Sequence, residues 1–198
     1  MKKYICKFEE NIFIDEKSED YKKLCNFEKR PNDKKAYKKF YDRYMFRYSL
    51  KCKLQDKGEK ITVILMNPSY ADEYGLDSTL ANVKEFLKKQ KQYSEFEVLN
   101  IFPVRTPNSD NLVGKMKKYK EIHKKNDEYI EKTLKNSRKV LVAWGSRYHR
   151  YAEWIFKFLS DKDIYAYAIN KDGSPRHFAP QAYNKVKKQK LQEYVIKN

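Results

Sequence analysis

Ile61-Thr62-Val63-Ile64-Leu65-Met66, running straight into Asn67-Pro68-Ser69-Tyr70-Ala71-Asp72, is the stretch on which the fold turns. An unbroken apolar and β-branched run, preceded by Lys57-Gly58-Glu59 and stopped by a proline, is the pattern of a strand buried on both faces. Pro68 lacks a backbone donor and pushes Asn67 toward an extended conformation, so the polar residues after it leave the sheet together at the strand's carboxyl end. In open α/β sheets that end is where ligands bind.

Outward from this strand the chain alternates strand and helix patterns. On the amino side, 46–54 alternates like a half-buried strand and is expected to pair antiparallel with 61–66 across Asp56-Lys57-Gly58-Glu59. On the carboxyl side, Asp77-Ser78 offers a helix cap, with Leu80, Val83, Phe86 and Leu87 on one face of a helix ending near Gln90. A strand at 96–102 follows, then helical spacing at Leu112, Met116, Tyr119 and Ile122 and again at Tyr129, Ile130, Thr133 and Leu134. Lys139 to Trp144 reads as a third buried strand, Tyr148 to Leu159 as an amphipathic helix and Ile164 to Ile169 as a fourth strand. Leu191, Tyr194 and Val195 lie at helical spacing in the tail. Before the core, 1–32 suggests a short strand or hairpin and 34–44 one or two helical turns. The expected fold is a single three-layer α/β/α domain with a mostly parallel four-stranded central sheet and an N-terminal antiparallel strand or hairpin. It divides into a peripheral extension (1–42), a core (43–183) and a basic tail (184–198).

Composition narrows the function. The chain has 198 residues, a formal charge of +17 and 40% hydrophobic residues, enough for one real core. Such a positive excess attracts phosphate polymers, and nucleic acid or a nucleotide is the expected partner, with DNA favoured over RNA only by the resemblance described below. Codon drift toward lysine in a low-GC coding sequence would give part of the same charge. Cys6, Cys25 and Cys52 have no CxxC spacing, and His123, His149 and His177 are scattered, so neither a metal site nor a disulfide frame is expected. No cofactor is expected. No P-loop or dinucleotide glycine signature occurs. No apolar run approaches the ~20 residues that span a bilayer, and no secretory leader is recognisable, so a cytoplasmic protein that avoids membranes is expected.

Parallel topology would bring four loops to one rim: 67–69, 100–105, 144–147 and 173–177. Asn67 can position a water or read an amide, Asn100 can offer a donor and an acceptor to a base edge, and Arg176 with His177 can steady negative charge on a leaving group. Ser69, Tyr70, Asp72, Phe102, Arg105, Ser146 and Arg147 complete the candidate binding set, with Tyr70, Phe102 and Trp144 as possible stacking surfaces. Each has a plainer role: Asn67 before proline as a turn former, Trp144 as core with its indole nitrogen satisfied locally, Asp72 and Asp77 as helix caps.

Taken as a set, Arg47-Tyr48-Ser49-Leu50, Met66-Asn67-Pro68-Ser69 with Ala71-Asp72, Asp77-Ser78-Thr79, Asn100-Ile101-Phe102-Pro103 with Arg105, Ala143-Trp144-Gly145 and Gly173 with Pro175-Arg176-His177 resemble a bacterial and phage family described as a domain of unknown function. The likeness runs from about Arg43 to Tyr183. More distantly, Met66-Asn67-Pro68-Ser69 and Arg176-His177-Phe178-Ala179 resemble the first and last motifs of the uracil-DNA glycosylase superfamily, which follow the first and last strands of a four-stranded parallel sheet. The 98–107 segment is similar to one that contributes a base-reading asparagine there. That resemblance implies that Asn67 holds the attacking water, Asn100 pairs with the base and His177 steadies the departing base anion. Ser69 stands where glycine is usual, and Phe178 where proline follows the histidine.

The function expected is therefore a nucleic-acid-binding, glycosylase-like protein that recognises an extruded or modified base, with hydrolysis of its N-glycosidic bond as the enzymatic form. The alternative is a non-catalytic nucleotide or modified-base binding module, as in phage defence or counter-defence. A third option is a small-molecule hydrolase with Asp72 or Asp77 as base.

Overall fold

The computed structural model describes residues 5–8, 46–69, 71, 75–105, 109–110, 112–179 and 189–196. The expected extension before residue 43, except 5–8, lies outside these residues, as do Tyr70, Asp72 and, in the tail, 184–188 and 197–198. In chain order the elements are β1 (Ile5–Phe8), β2 (Arg47–Lys53), β3 (Glu59–Leu65), α1 (Ser78–Lys89) and β4 (Tyr93–Asn100). Then come α2 (Leu112–Lys118), α3 (Lys120–Lys135), β5 (Lys139–Val142), a 3-10 helix (His149–Phe158), β6 (Asp163–Ala166) and β7 (Gln192–Glu193).

All the strands form one seven-stranded mixed sheet in the order β1-β2-β4-β3-β5-β6-β7, with the Ile61–Leu65 run in its middle strand. β3 pairs parallel with β4 and with β5, and β5 pairs parallel with β6. β1, β2 and β7 add antiparallel partners at the two edges. The sheet is wider than the four central strands and N-terminal antiparallel strand or hairpin expected, because β1 and β2 both join one edge and the two-residue β7 joins the other.

Two expectations are corrected. β2 does not pair with β3; it lies against β4, with Leu50 opposite Val98 and Cys52 opposite Phe96. The connection from β2 passes across the start of β4 to reach β3: the Leu54 and Gln55 N–H groups donate to the Ser94 carbonyl, and the Glu59 N–H donates to the Gln92 carbonyl. Gly58 makes this passage possible, since at φ +136° an added Cβ would lie 2.6 Å from the Gln92 carbonyl oxygen. In the tail, the helical spacing of Leu191, Tyr194 and Val195 does not make a helix. Gln192-Glu193 pairs with β6 instead, and the edge is closed by the Tyr194 N–H on the Ile164 carbonyl.

The period-two alternation of the strands sorts side chains onto two cores. Ile61, Val63, Leu65, Phe96, Val98 and Leu141 face α1, which contributes Leu80, Val83, Phe86 and Leu87. Ile64, Leu99, Val140 and Val142 face the other side, against Leu112 of α2, Ile130 and Leu134 of α3, and Ile155 of the 3-10 helix. Helices therefore cover both faces. α1 begins where the sequence places it, with Asp77 as its N-cap.

Candidate functional site

Loops at the carboxyl ends of the parallel strands are tied to one another. The Ile101 and Phe102 N–H groups donate to the Leu65 and Met66 carbonyls, which joins the exits of β4 and β3. The Gly145 N–H donates to the Pro175 carbonyl at 2.9 Å, which joins the segment after β5 to the one after β6.

The Asn67-Pro68-Ser69 loop is held from below by two buried guanidiniums. Arg47 Nη1 donates to the Ala71 carbonyl at 2.6 Å. Arg105 donates through Nε to the Ser69 carbonyl and through Nη2 to the Ala71 carbonyl, at 3.3 Å in each case. Asn67, half-buried, donates from Nδ2 to the Pro68 carbonyl at 2.9 Å, the local turn bond expected of an asparagine before proline.

Asp77 ties this loop to α1. Its Oδ1 accepts from the Leu80 N–H at 2.9 Å and its Oδ2 from the Ala71 N–H at 3.2 Å, so one carboxylate caps the helix and fixes the loop. Both oxygens are engaged structurally, which matches a cap rather than a general base. The same carboxylate acts on His177. Burial pushes the His177 imidazole below the ordinary histidine value, while Asp77 pulls it partly back. The His177 backbone is fixed by the Tyr167 hydroxyl on its carbonyl at 2.7 Å, and Asn82 of α1 holds the Ala179 carbonyl at 3.2 Å. Gly145 lies behind it, where an added Cβ would stand 3.3 Å from His177 Cβ.

Asn100, the last residue of β4, is 0% exposed, and neither its Nδ2 nor its Oδ1 has a hydrogen-bond partner among the described residues. By strand parity its side chain falls on the α1 face with Phe96 and Val98. Leaving a buried amide unpaired costs about 1–3 kcal/mol per group, so this position calls for an explanation outside packing. Its backbone is held from the opposite face, where Asn126 of α3 donates to the Asn100 and Ile101 carbonyls at 3.0 and 3.4 Å.

The structure links the Ser69 and Ala71 backbone, Arg105, Asp77 and His177 in one bonded and electrostatic network, while the Asn67 side-chain bond to Pro68 stays within the loop that network holds. It sets other candidates apart. Phe102 is 1% exposed among His123, Tyr148 and Tyr151, on the face away from Asn100's side chain. Trp144 is core, and its Nε1–H donates to His149 Nδ1 at 2.9 Å. Ser146, Arg147 and Arg176 are exposed; Arg147 pairs with Asp110 at 2.7 Å and Arg176 Nε donates to Asn170 Oδ1 at 3.1 Å. Tyr70 and Asp72 lie outside the described residues.

The roles of Arg47 and Asn126 went unrecognised in the sequence. Arg47 opens one of the family motifs but alternates with Phe46 and Tyr48, which suggests a solvent-facing side chain and gives no hint of its role under the loop. Asn126 had a readable signal: with His123, Ile130 and Leu134 it falls on the buried face of α3. Among the described residues no cluster of three or more histidine, cysteine or acidic side chains could hold a metal ion, and no helix is long and apolar enough to cross a membrane.

No curated protein and no solved structure matches the chain. The family described as "Protein of unknown function (DUF1643)" matches residues 47–178, from the first residue of β2 to the phenylalanine after His177, and the chain belongs to that family.

Proposed function

We propose that the chain is a DNA-glycosylase-like protein that receives an extruded or modified base at the carboxyl ends of β3 and β4 and hydrolyses its N-glycosidic bond. The observation that carries this reading is the Asn100 amide, fully buried with its donor and acceptor both unpaired among the described residues. A nucleobase edge supplies the complementary acceptor and donor, and pairing there would recover the cost of burying the amide.

Two further features support it. The Asn67 loop follows the first strand of the parallel run and His177 follows the last, the same placement as the motifs of the uracil-DNA glycosylase superfamily they resemble. His177 is held below its ordinary value by burial and is therefore neutral near pH 7, able to donate a hydrogen bond to a leaving base without first losing a proton. In this reading Asn67 orients the water that adds to the sugar carbon, the glycosidic bond breaks toward the base, His177 stabilises the base anion, and the proton released by the water ends on that base. The net charge of +17 supplies attraction to the phosphate backbone.

The test is incubation of duplexes carrying a panel of damaged or modified bases with wild type and with Asn67→Ala, Asn100→Ala and His177→Ala, reading strand cleavage after alkali. Wild type is expected to cleave at least one substrate, with losses of about 100-fold or more for Asn67→Ala and His177→Ala, the scale of a removed catalytic contact. Equal product from all four proteins rules out the roles assigned. Binding of a modified nucleotide that weakens in Asn100→Ala, with no cleavage by any protein, selects the non-catalytic module.

A further inference from the structure

At the opposite end of the sheet, beside the amino ends of β3 and β5, lies a groove of about 560 Å³ between the last turns of α3 and the exposed faces of β2, β4 and β3. Its size falls in the ~300–1,000 Å³ range of small-molecule sites. Five cations line it, Lys51, Lys60, Lys132, Arg138 and Lys139, against two carboxylates, Glu95 and Glu97.

The carboxylates do not leave the groove neutral; they aim its lysines. Glu95 holds Lys60 at 2.9 Å, Glu97 holds Lys51 at 3.4 Å, and Glu59 holds Lys139 at 2.7 Å. Each ammonium has three donors, so one ion pair leaves others for a ligand. Glu97 is engaged on both oxygens, since Tyr129 donates to its Oε1 at 3.0 Å. Lys132 has no ion pair among the described residues, and Arg138 reaches Asp163 only at 3.6 Å with its side chain 88% exposed. The negative end of the α3 dipole, which would repel an anion, is covered by Asn136 Nδ2 on the Lys132 carbonyl at 2.9 Å and Ser137 Oγ on the Thr133 carbonyl at 2.8 Å.

We propose that this groove is a second binding site, for phosphate-bearing anions. Pre-aimed ammoniums around a polar hollow suit a multiply charged phosphate better than a single carboxylate, because several cations act on it at once. The phosphates come either from a nucleic-acid strand or from a free polyphosphate, and the two sources predict different results below. The proposal does not depend on the reading of the rim.

The full chain is titrated with inorganic pyrophosphate and, separately, with a single-stranded oligothymidylate over a range of salt. Wild type is compared with Lys132→Glu/Arg138→Glu and with a charge-matched control on the other face, Lys88→Glu/Lys89→Glu at the end of α1. Circular dichroism checks folding, and all four substituted side chains are exposed. Pyrophosphate affinity is expected to fall about tenfold in the groove variant and to stay within about twofold in the control. If the oligonucleotide's log-log salt slope also falls by about one per cation removed, the source is a strand; if only pyrophosphate responds, it is a free polyphosphate. No pyrophosphate binding by wild type, or an equal loss in both variants, overturns the proposal.

Discussion

His123 and Asp127 sit one turn apart on α3, and burial moves them in opposite senses. Burial lowers the His123 imidazole from 6.5 to about 4. Burial, with a smaller contribution from Glu128, raises the Asp127 carboxyl from 3.8 to about 6. Because the folded His123 value is depressed, its stabilising contribution is complete above 6.5 and is lost as the pH falls toward about 4. At about 1.4 kcal/mol per unit the loss is about 3 kcal/mol. Asp127 works the other way: its folded value is raised, so its contribution is complete below 3.8 and is lost as the pH rises through about 6. Asp127 is half-buried and partly screened by solvent, which brings its share to about 2 kcal/mol. Between pH 7 and 4 the two effects nearly cancel, and each single variant exposes the other. Asp127→Asn is expected to be about 2 kcal/mol more stable than wild type at pH 7, with the gap closing by pH 4. His123→Gln is expected to gain about 3 kcal/mol relative to wild type over the same descent. Urea unfolding at pH 4, 5, 6 and 7 reads both differences, and groups common to all three proteins drop out of the comparison. A difference between Asp127→Asn and wild type that stays flat, or widens on acidification, refutes the reasoning.

Cys52 is 1% exposed and its thiol is pushed up to about 11 by burial. With Cys6 and Cys25 replaced by serine, the native chain should resist a thiol reagent at pH 8 and react on unfolding; prompt native labelling would contradict this. Gly58→Ala places a Cβ 2.6 Å from the Gln92 carbonyl oxygen at a positive φ, and should lower stability by about 2 kcal/mol or more in denaturant unfolding, whereas an unchanged midpoint would mean the crossover can shift. Asp77→Ala removes the cap of α1 and the Ala71 tie, at a cost of about 1–2 kcal/mol, and deletes the charge that partly restores the His177 imidazole. An NMR titration should find His177 shifted further down; an upward shift would separate Asp77 from it.

What the sequence disclosed of this fold was its interior. Runs such as 61–66 and 139–144 can be buried only between two covered faces, and Leu80, Val83, Phe86 and Leu87 repeat at a period that only a helix satisfies. The pairing order was hidden because β2 looks equally fit to lie beside β3 or β4, and only the passage at Gly58 decides between them. β7 was hidden because two residues, Gln192 and Glu193, carry no period at all; pairing with the edge of β6 makes them a strand. In the candidate site, Asn67, Asn100, Arg105 and His177 stood out because polar residues follow apolar runs. Arg105 then proved to hold loop carbonyls, and Asp77 to join loop, helix and imidazole. Such roles belong to contacts between segments far apart in the chain, which spacing does not encode.

The end of β4 illustrates how that long-range placement works. A strand's last residue normally frays, because its backbone has lost ladder partners on one side. Here the Asn100 carbonyl is gripped from the α3 face by Asn126, and the Ile101 and Phe102 N–H groups continue the ladder onto the Leu65 and Met66 carbonyls. Backbone fixed on one face determines where the side chain on the other face points. Moving the end of β4 so that the Asn100 amide reached solvent would relieve its unpaired atoms, but that movement would break those backbone bonds, each worth about 1 kcal/mol net. The buried amide is thus held in place by the sheet, α3 and the β3 exit together, which is what the base pairing proposed for Asn100 requires.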